Sequence, residues 1–188
     1  MEKINIIINT YKSINDDRNK ELKFSLDKLN DLIGVTITEL KSDFRIKFIE
    51  FAKLSHDNSI NIWINSDCFF DQSSINLLNH LKDDEVWCLS RREMIDFDIS
   101  NSVYVDRPDT QDAWIFHGVC PIPDDELNFE IGTVGCDNHL MYLFSKFKKI
   151  KNPSIDIKLY HMHLSKYRNY DISKSVIGEY LTLYPHKI

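Results

Sequence analysis

The chain alternates short apolar runs with segments whose apolar residues recur at helical spacing. INIIIN (4–9) is a continuous apolar run of strand length, as expected for a buried parallel strand. After the polar TYKSINDDRNK, the segment 21–33 places Leu22, Leu26, Leu29 and Ile33 on one helical face, with Gly34 as its stop. VTITEL (35–40) alternates β-branched residues and predicts a second strand. FRIKFIEFAKLS (44–55) predicts a second helix and INIWIN (60–65) a third strand. SSINLLNHLKDD (73–84) predicts a short helix capped by Ser73 or Ser74. EVWCLSRRE (85–93) and AWIFHG (113–118) read as strands, with an irregular stretch at 101–111 between them. Two prolines make 119–132 a loop. CDNHLMYLFSKF (136–147) is helical, with Leu140, Leu143 and Phe147 on one face, and SIDIKLYHMHL (154–164) is a last strand before a polar, aromatic tail.

This order predicts an α/β protein whose first half is Rossmann-like, with a mixed, mainly parallel central sheet flanked by helices. Ligands of such sheets bind at the carboxyl ends of the strands. Those ends carry Asn9-Thr10-Tyr11, Glu39, Asn65-Ser66-Asp67, Ser90-Arg91-Arg92, His117-Gly118 and His161-Met162-His163. Trp63, Trp87 and the phenylalanines read as core.

Composition narrows the function classes. A chain of 188 residues with 43% apolar and 28% charged residues is expected to form one domain with a real core. Its net charge of −6 does not indicate a nucleic-acid partner, whose footprint is basic. No run approaches the roughly 20 apolar residues of a membrane span, and the N-terminal run is short for a signal peptide. The four cysteines form no C-x-x-C pair, so neither a zinc cluster nor a disulfide scaffold is indicated. Cys68 and Cys136 read as packing residues. A cytoplasmic, reduced protein is expected.

No G-x-G-x-x-G, P-loop or G-x-S-x-G sequence is present. A nucleotide bound at these strand ends would need its phosphates neutralised otherwise, and Mg²⁺ or Mn²⁺ on carboxylate oxygen is the alternative. Asp67 is the best-placed carboxylate. Asn65 could add a neutral oxygen, and a late strand-end His could complete the shell. The competing reading of Asn65-Ser66-Asp67 is a turn whose side chains satisfy the backbone. Asp137 reads equally as a helix N-cap.

The helix leading into INIWINSD, the later IGTVGCDNHLMYLF and the strand IKLYHMHLS together resemble the GT-A class of nucleotide-sugar glycosyltransferases. The resemblance runs from about Ile4 to about Arg168 and implies a single GT-A-like sandwich, with a nucleotide-binding half (1–90) and an acceptor and metal half (91–188). Asn65-Ser66-Asp67 occupies the place of the class's Asp-any-Asp metal motif, with Asn65 where its first Asp is expected. The resemblance implies sugar transfer from a UDP- or GDP-linked donor to an acceptor that the sequence does not identify. Asp67, with His161 or His163, would hold Mn²⁺ or Mg²⁺, and Asp137 would be the catalytic carboxylate, kept ionised by the start of its helix. Thr10, Tyr11, Arg18, Glu39, Asp43, Asn65 and Ser66 would meet the nucleotide. Arg91, Gln111, Asp112, Trp114 and Gly135 would meet donor sugar or acceptor, with Arg92 as a further candidate for phosphate or acceptor. Lys166 and Arg168 would meet the diphosphate.

Three other readings compete. A nucleotidyltransferase shares the architecture but usually needs a Gly-rich loop after the first strand, which NTYKSINDDR lacks. A non-catalytic sugar- or nucleotide-binding module on a degenerate GT-A fold is favoured by Asn65. A metallohydrolase would be built on His161, His163 and Asp137.

Overall fold

The computed structural model describes residues 2–42, 45–167 and 173–188. Its centre is a mixed nine-stranded sheet. The strands are β1 (Lys3–Thr10), β2 (Val35–Lys41), β3 (Ser59–Ile64), β4 (Cys68–Phe70), β5 (Glu85–Glu93), β6 (Val103–Tyr104), β7 (Gln111–His117), β8 (Lys149–Lys151) and β9 (Leu159–His161). The order is β2-β1-β3-β7-β5-β9-β4, with β6 and β8 also paired to β5. The first half is parallel as expected, since β1 pairs in parallel with both β2 and β3. The second half mixes the two senses: β5 pairs in parallel with β8 and β9. β7 runs antiparallel between β3 and β5, and β4–β9 and β5–β6 are antiparallel too.

The period of two along the strands gives the sheet two buried faces. Ile6, Ile8, Ile62 and Ile64 join one apolar cluster, where Leu29 and Phe24 of α1 (Asp16–Asn30) pack. Ile7, Trp63 and Trp114 face the other way, onto Phe48 and Phe51 of α2 (Phe48–Ala52) and Leu140, Leu143 and Phe144 of α4 (Cys136–Ser145). All six residues of β3 are buried. Trp63 and Trp87 are core residues, as expected.

Several elements differ from their predicted spans for visible reasons. The first helix starts five residues early because Asn15 caps it, accepting from Arg18 N at 2.8 Å. The second is cut to Phe48–Ala52 because the chain before it is used otherwise: Lys47 bridges to Glu130, and Ile131 N donates to Ile46 O. The helix α3 (Gln72–Asn76) is capped by Asp71, which accepts from Ser74 N at 2.8 Å, not by Ser73 or Ser74. It tightens into a 3₁₀ turn at Leu77–His80. Cys68–Phe70, which carries no alternation to betray it, pairs with β9, and the strand expected at 154–164 shortens to Leu159–His161, held between β4 and β5.

Two irregularities position the site. The β5–β7 ladder slips by one residue between Leu89 and Ser90, where Asp112 of β7 is the extra residue, and β5 pairs with β8 over its first residues and with β6 and β9 over its last. After β3, a turn closes by Cys68 N donating to Asn65 O at 3.0 Å, while Met162 N donates to Asp67 O at 2.7 Å. Asp67 is thereby held between the end of β3 and the end of β9.

Candidate functional site

A cleft of about 820 Å³ opens where β1 and β3 end. Asp67 lies in its floor, 9% exposed. Its Oδ2 accepts from Arg18 Nη2 at 2.5 Å and lies 3.2 Å from His161 Nε2. The other ring nitrogen of His161, Nδ1, lies 2.7 Å from Glu93 Oε2. Glu93 Oε1 in turn accepts from Arg91 Nε at 2.6 Å, and Arg91 Nη1 donates to Asp112 Oδ2 at 2.8 Å. Asn65 Nδ2 closes the run on Asp112 Oδ1 at 2.6 Å. At the other end Arg18 Nη1 donates to Glu21 Oε2 at 3.0 Å and to Met162 O at 3.0 Å. Seven side chains from Glu21 to Asp112 thus alternate in sign across the floor.

The alternation sets the protonation states. Burial disfavours the charged form of Asp67, but His161 and Arg18 outweigh it and hold the carboxyl well below its usual range. Burial also opposes charge on His161, and Asp67 and Glu93 override it, raising the imidazole to about 9. Glu93 is lowered to about 2, its burial outweighed by His161 and Arg91. Arg91 is raised, chiefly by Asp112. His163 moves the other way: burial, then Arg18, lowers it, so the ring is neutral at pH 7.

Asp137 contrasts with these. It stands in the first turn of α4, after Gly135 in the left-handed conformation (φ +80°). The expectation that the helix start keeps it ionised is overturned. Burial, then the negative charge of Asp112, pushes its carboxyl up to about 8, and the Cys136 thiol 3.3 Å from Oδ1 offsets only part of this.

The donor set suits a borderline divalent cation. Asp67, His161 and His163 can each present one ligand atom within 4.8 Å of the others. Two details of the surroundings fit a metal. Metal-bound histidines generally donate their second nitrogen to a carboxylate or carbonyl. Here Glu93 takes His161 Nδ1, and Tyr167 O lies 2.9 Å from His163 Nε2. Among the described residues, Asp67 Oδ1 is met by the weak Cys68 thiol contact at 3.8 Å.

Of the residues picked from sequence, Tyr11, Arg18, Asn65, Ser66, Asp67, Arg91, Asp112, Gly135, Asp137, His161 and His163 line this one cleft. Others do not. Trp114 is 1% exposed and packed edge-on against Phe48, so it is core and not a sugar-facing wall. Gln111 is fully buried and spends its amide on Ser90 Oγ, Pro108 O and Leu183 O, which makes it structural. Thr10 lies in a shallow neighbouring depression and donates to Glu39, which is exposed on the outer strand β2. Arg92 reaches Ser102 instead of the cleft. Lys166 is exposed and lies outside the cleft lining. Asp43 and Arg168 fall outside the described residues.

Sequence reasoning missed Glu93, whose signal was present: Arg91 and Glu93 are two apart on a strand and share a face. Asn9, one of the strand-end residues picked out from sequence, is in the lining and accepts from Ser66 Oγ at 2.9 Å; Tyr180 and Thr182, which also line the cleft, were missed. No protein-family model matches the chain, and no curated protein matches it. No helix among the described residues is long and apolar enough to cross a membrane.

Proposed function

We propose that the protein is a metal-dependent glycosyltransferase of GT-A type, moving a sugar from a nucleoside-diphosphate donor to an acceptor hydroxyl or similar nucleophile. The observation that carries this reading is the meeting of Asp67, His161 and His163 in one cleft at the ends of the parallel strands β1 and β3. Asp137 lines the same cleft at the start of a late helix, which agrees with the resemblance drawn from sequence.

Asp67, His161 and His163 would hold Mn²⁺ or Mg²⁺, which when bound supplies positive charge for a leaving diphosphate. The residues of the chain do the rest. Glu93 orients the His161 ring, and His161 must give up its Nε2 proton before that nitrogen can ligate, so affinity rises with pH. Arg18, held by Glu21, faces the floor as a fixed cation. Asp137, raised to about 8, would take the hydroxyl proton in its ionised form as the new glycosidic bond forms, so the rate should climb as pH rises toward 8. The nucleotide would lie against Tyr11 and Asn9, both in the cleft.

A non-catalytic binding module is the second reading. The observation favouring it is that Arg18 and His161 already share Asp67 Oδ2 as counter-ions. The two readings part in a thermal-shift experiment with UDP- and GDP-sugars, with and without Mn²⁺, since a ligand of the folded state raises the melting temperature. The transferase reading expects a shift that needs both nucleotide and Mn²⁺ and is lost in Asp67→Ala. It also expects release of free sugar or transfer, seen by mass spectrometry. Binding without metal and without turnover supports the module; absence of any shift rejects both.

A further inference from the structure

Residues 173–188 cross the molecule as an extended strap without regular secondary structure beyond one bridge, Ser175 to Val134. The strap is fastened by buried polar side chains. Leu181 N donates to Asn138 O at 3.1 Å, and Asn138 Nδ2 returns a bond to Leu181 O at 3.1 Å. Leu183 O accepts from Asn152 Nδ2 at 2.8 Å and Gln111 Nε2 at 3.3 Å, while Leu183 N donates to Pro108 O at 2.9 Å. Leu181 and Leu183 pack on the core cluster of α4. In an extended chain the alternate residues point the opposite way, and Tyr180 and Thr182 indeed face the cleft.

The ring of Tyr180 is closely seated. Its hydroxyl donates to Val176 O, and the ring lies so near Gly135 that a Cβ there would come within 2.7 Å of Cε1. Gly135 immediately precedes the helical turn of Asp137, and Asn138 of that turn holds Leu181 on both sides. The aromatic face is therefore tied to the carboxyl group rather than floating on a loose tail. Thr182 and the Arg107–Asp109 pair, joined at 2.8 Å, line the same cleft. An aromatic ring in one cleft with hydroxyl and ionic groups suits a pyranose, whose ring has an apolar C–H face and a polar edge.

We propose that Tyr180 is the stacking platform of the acceptor subsite and that the acceptor presented to Asp137 is a saccharide; this rests on the glycosyl-transfer reading. Saturation-transfer NMR with methyl glycosides of glucose, galactose, mannose and N-acetylglucosamine tests it. It is run beside thermal shifts with UDP and GDP plus Mn²⁺. At least one glycoside is expected to receive saturation from the wild type. Tyr180→Ala is expected to weaken that binding about tenfold, and Tyr180→Phe to retain it. Tyr180→Leu, which fills the same space without a flat face and keeps the strap packed, is expected to lose it as Tyr180→Ala does. The nucleotide shift is expected to stay unchanged in all three. Glycoside binding that survives Tyr180→Leu, or no glycoside binding while nucleotide binds, overturns the proposal. Loss of nucleotide binding in Tyr180→Ala and Tyr180→Leu also overturns it, because the ring would then serve the base. Glycoside binding that depends on the ring, with no nucleotide binding at all, keeps the saccharide platform and removes the transferase reading instead.

Discussion

Asp67 and Asp137 are the same residue type in the same cleft, yet their carboxyl groups behave in opposite ways. Asp67 is the more deeply set, and its charge is matched by Arg18 at 2.5 Å and His161 at 3.2 Å. Asp137 has a thiol for a neighbour and the negative Asp112 nearby, so it keeps its proton near neutrality. Burial raises a carboxyl in both places; the sign of the nearest charges decides the outcome. One region is built to hold charge and the other to hold a proton. In the glycosyl-transfer reading proposed above, the first region would face the leaving group, and Asp137 would serve as base once it has lost its proton.

The largest effect should come from breaking the compensated region. Asp67→Ala strands two buried cations and is expected to cost about 3–5 kcal/mol in urea unfolding, beyond abolishing the metal-dependent shift. A change under about 1 kcal/mol would show that the pairing is not what holds Asp67 in place. Stability against pH separates the two regions next. Asp67 and Glu93 contribute stability that is present above their unfolded values near 4 and is lost as pH falls. His161 contributes stability that is full below about 6.5 and is lost as pH rises through about 9. Between about 4 and about 8 the folded state also retains a proton on Asp137 that the unfolded chain has released, so stability falls with rising pH. The maximum is therefore expected on the acid side of neutrality, between about pH 4 and pH 6.5. Asp137→Asn should flatten the decline above pH 4, and an unchanged slope would contradict the raised carboxyl.

Smaller effects sharpen the contrast. Asp112→Asn should let the Asp137 carboxyl fall back toward the ordinary range, read by carbon-13 NMR titration. Glu93→Gln should lower the His161 pKa and move the pH dependence of Mn²⁺ binding to lower pH, while weakening the limiting affinity at high pH because the ring loses its orienting carboxylate. Lys166→Ala should change neither stability nor nucleotide binding by a measurable amount; a clear loss would bring that side chain back to the diphosphate.

The first half of the fold was legible because its strands are long and its faces clean. INIIIN and INIWIN become β1 and β3, and their ends predict the cleft and Asp67. The second half was not, because its strands are short and its ladder reverses. β7 runs antiparallel, so its start, not its end, meets the carboxyl end of β3. That puts Asp112 in the site and carries His117 to the opposite edge, where it meets Glu2 and Leu81 O. Trp114 sits opposite Trp63 inside the ladder and joins the core on that face. Asp71, directly after β4, caps α3 and also accepts from Tyr160 Oη at 3.0 Å. The strap's apolar alternation at Leu181 and Leu183 is too brief for a sequence window to read as a strand, and its placement depends on Gln111, Asn138 and Asn152, which are scattered along the chain.

The register shift between Leu89 and Ser90 acts as the pivot of a lever. From Ser90 to Glu93 the strand advances roughly 10 Å at the usual rise per residue, and Arg91 and Glu93 ride on that arm. A change of only about 10° at the shift would swing Glu93 by nearly ~2 Å, more than a hydrogen bond tolerates. The alignment of His161, and with it the geometry of the whole charged floor, is thus set by the angle at which one strand passes from one set of partners to the next.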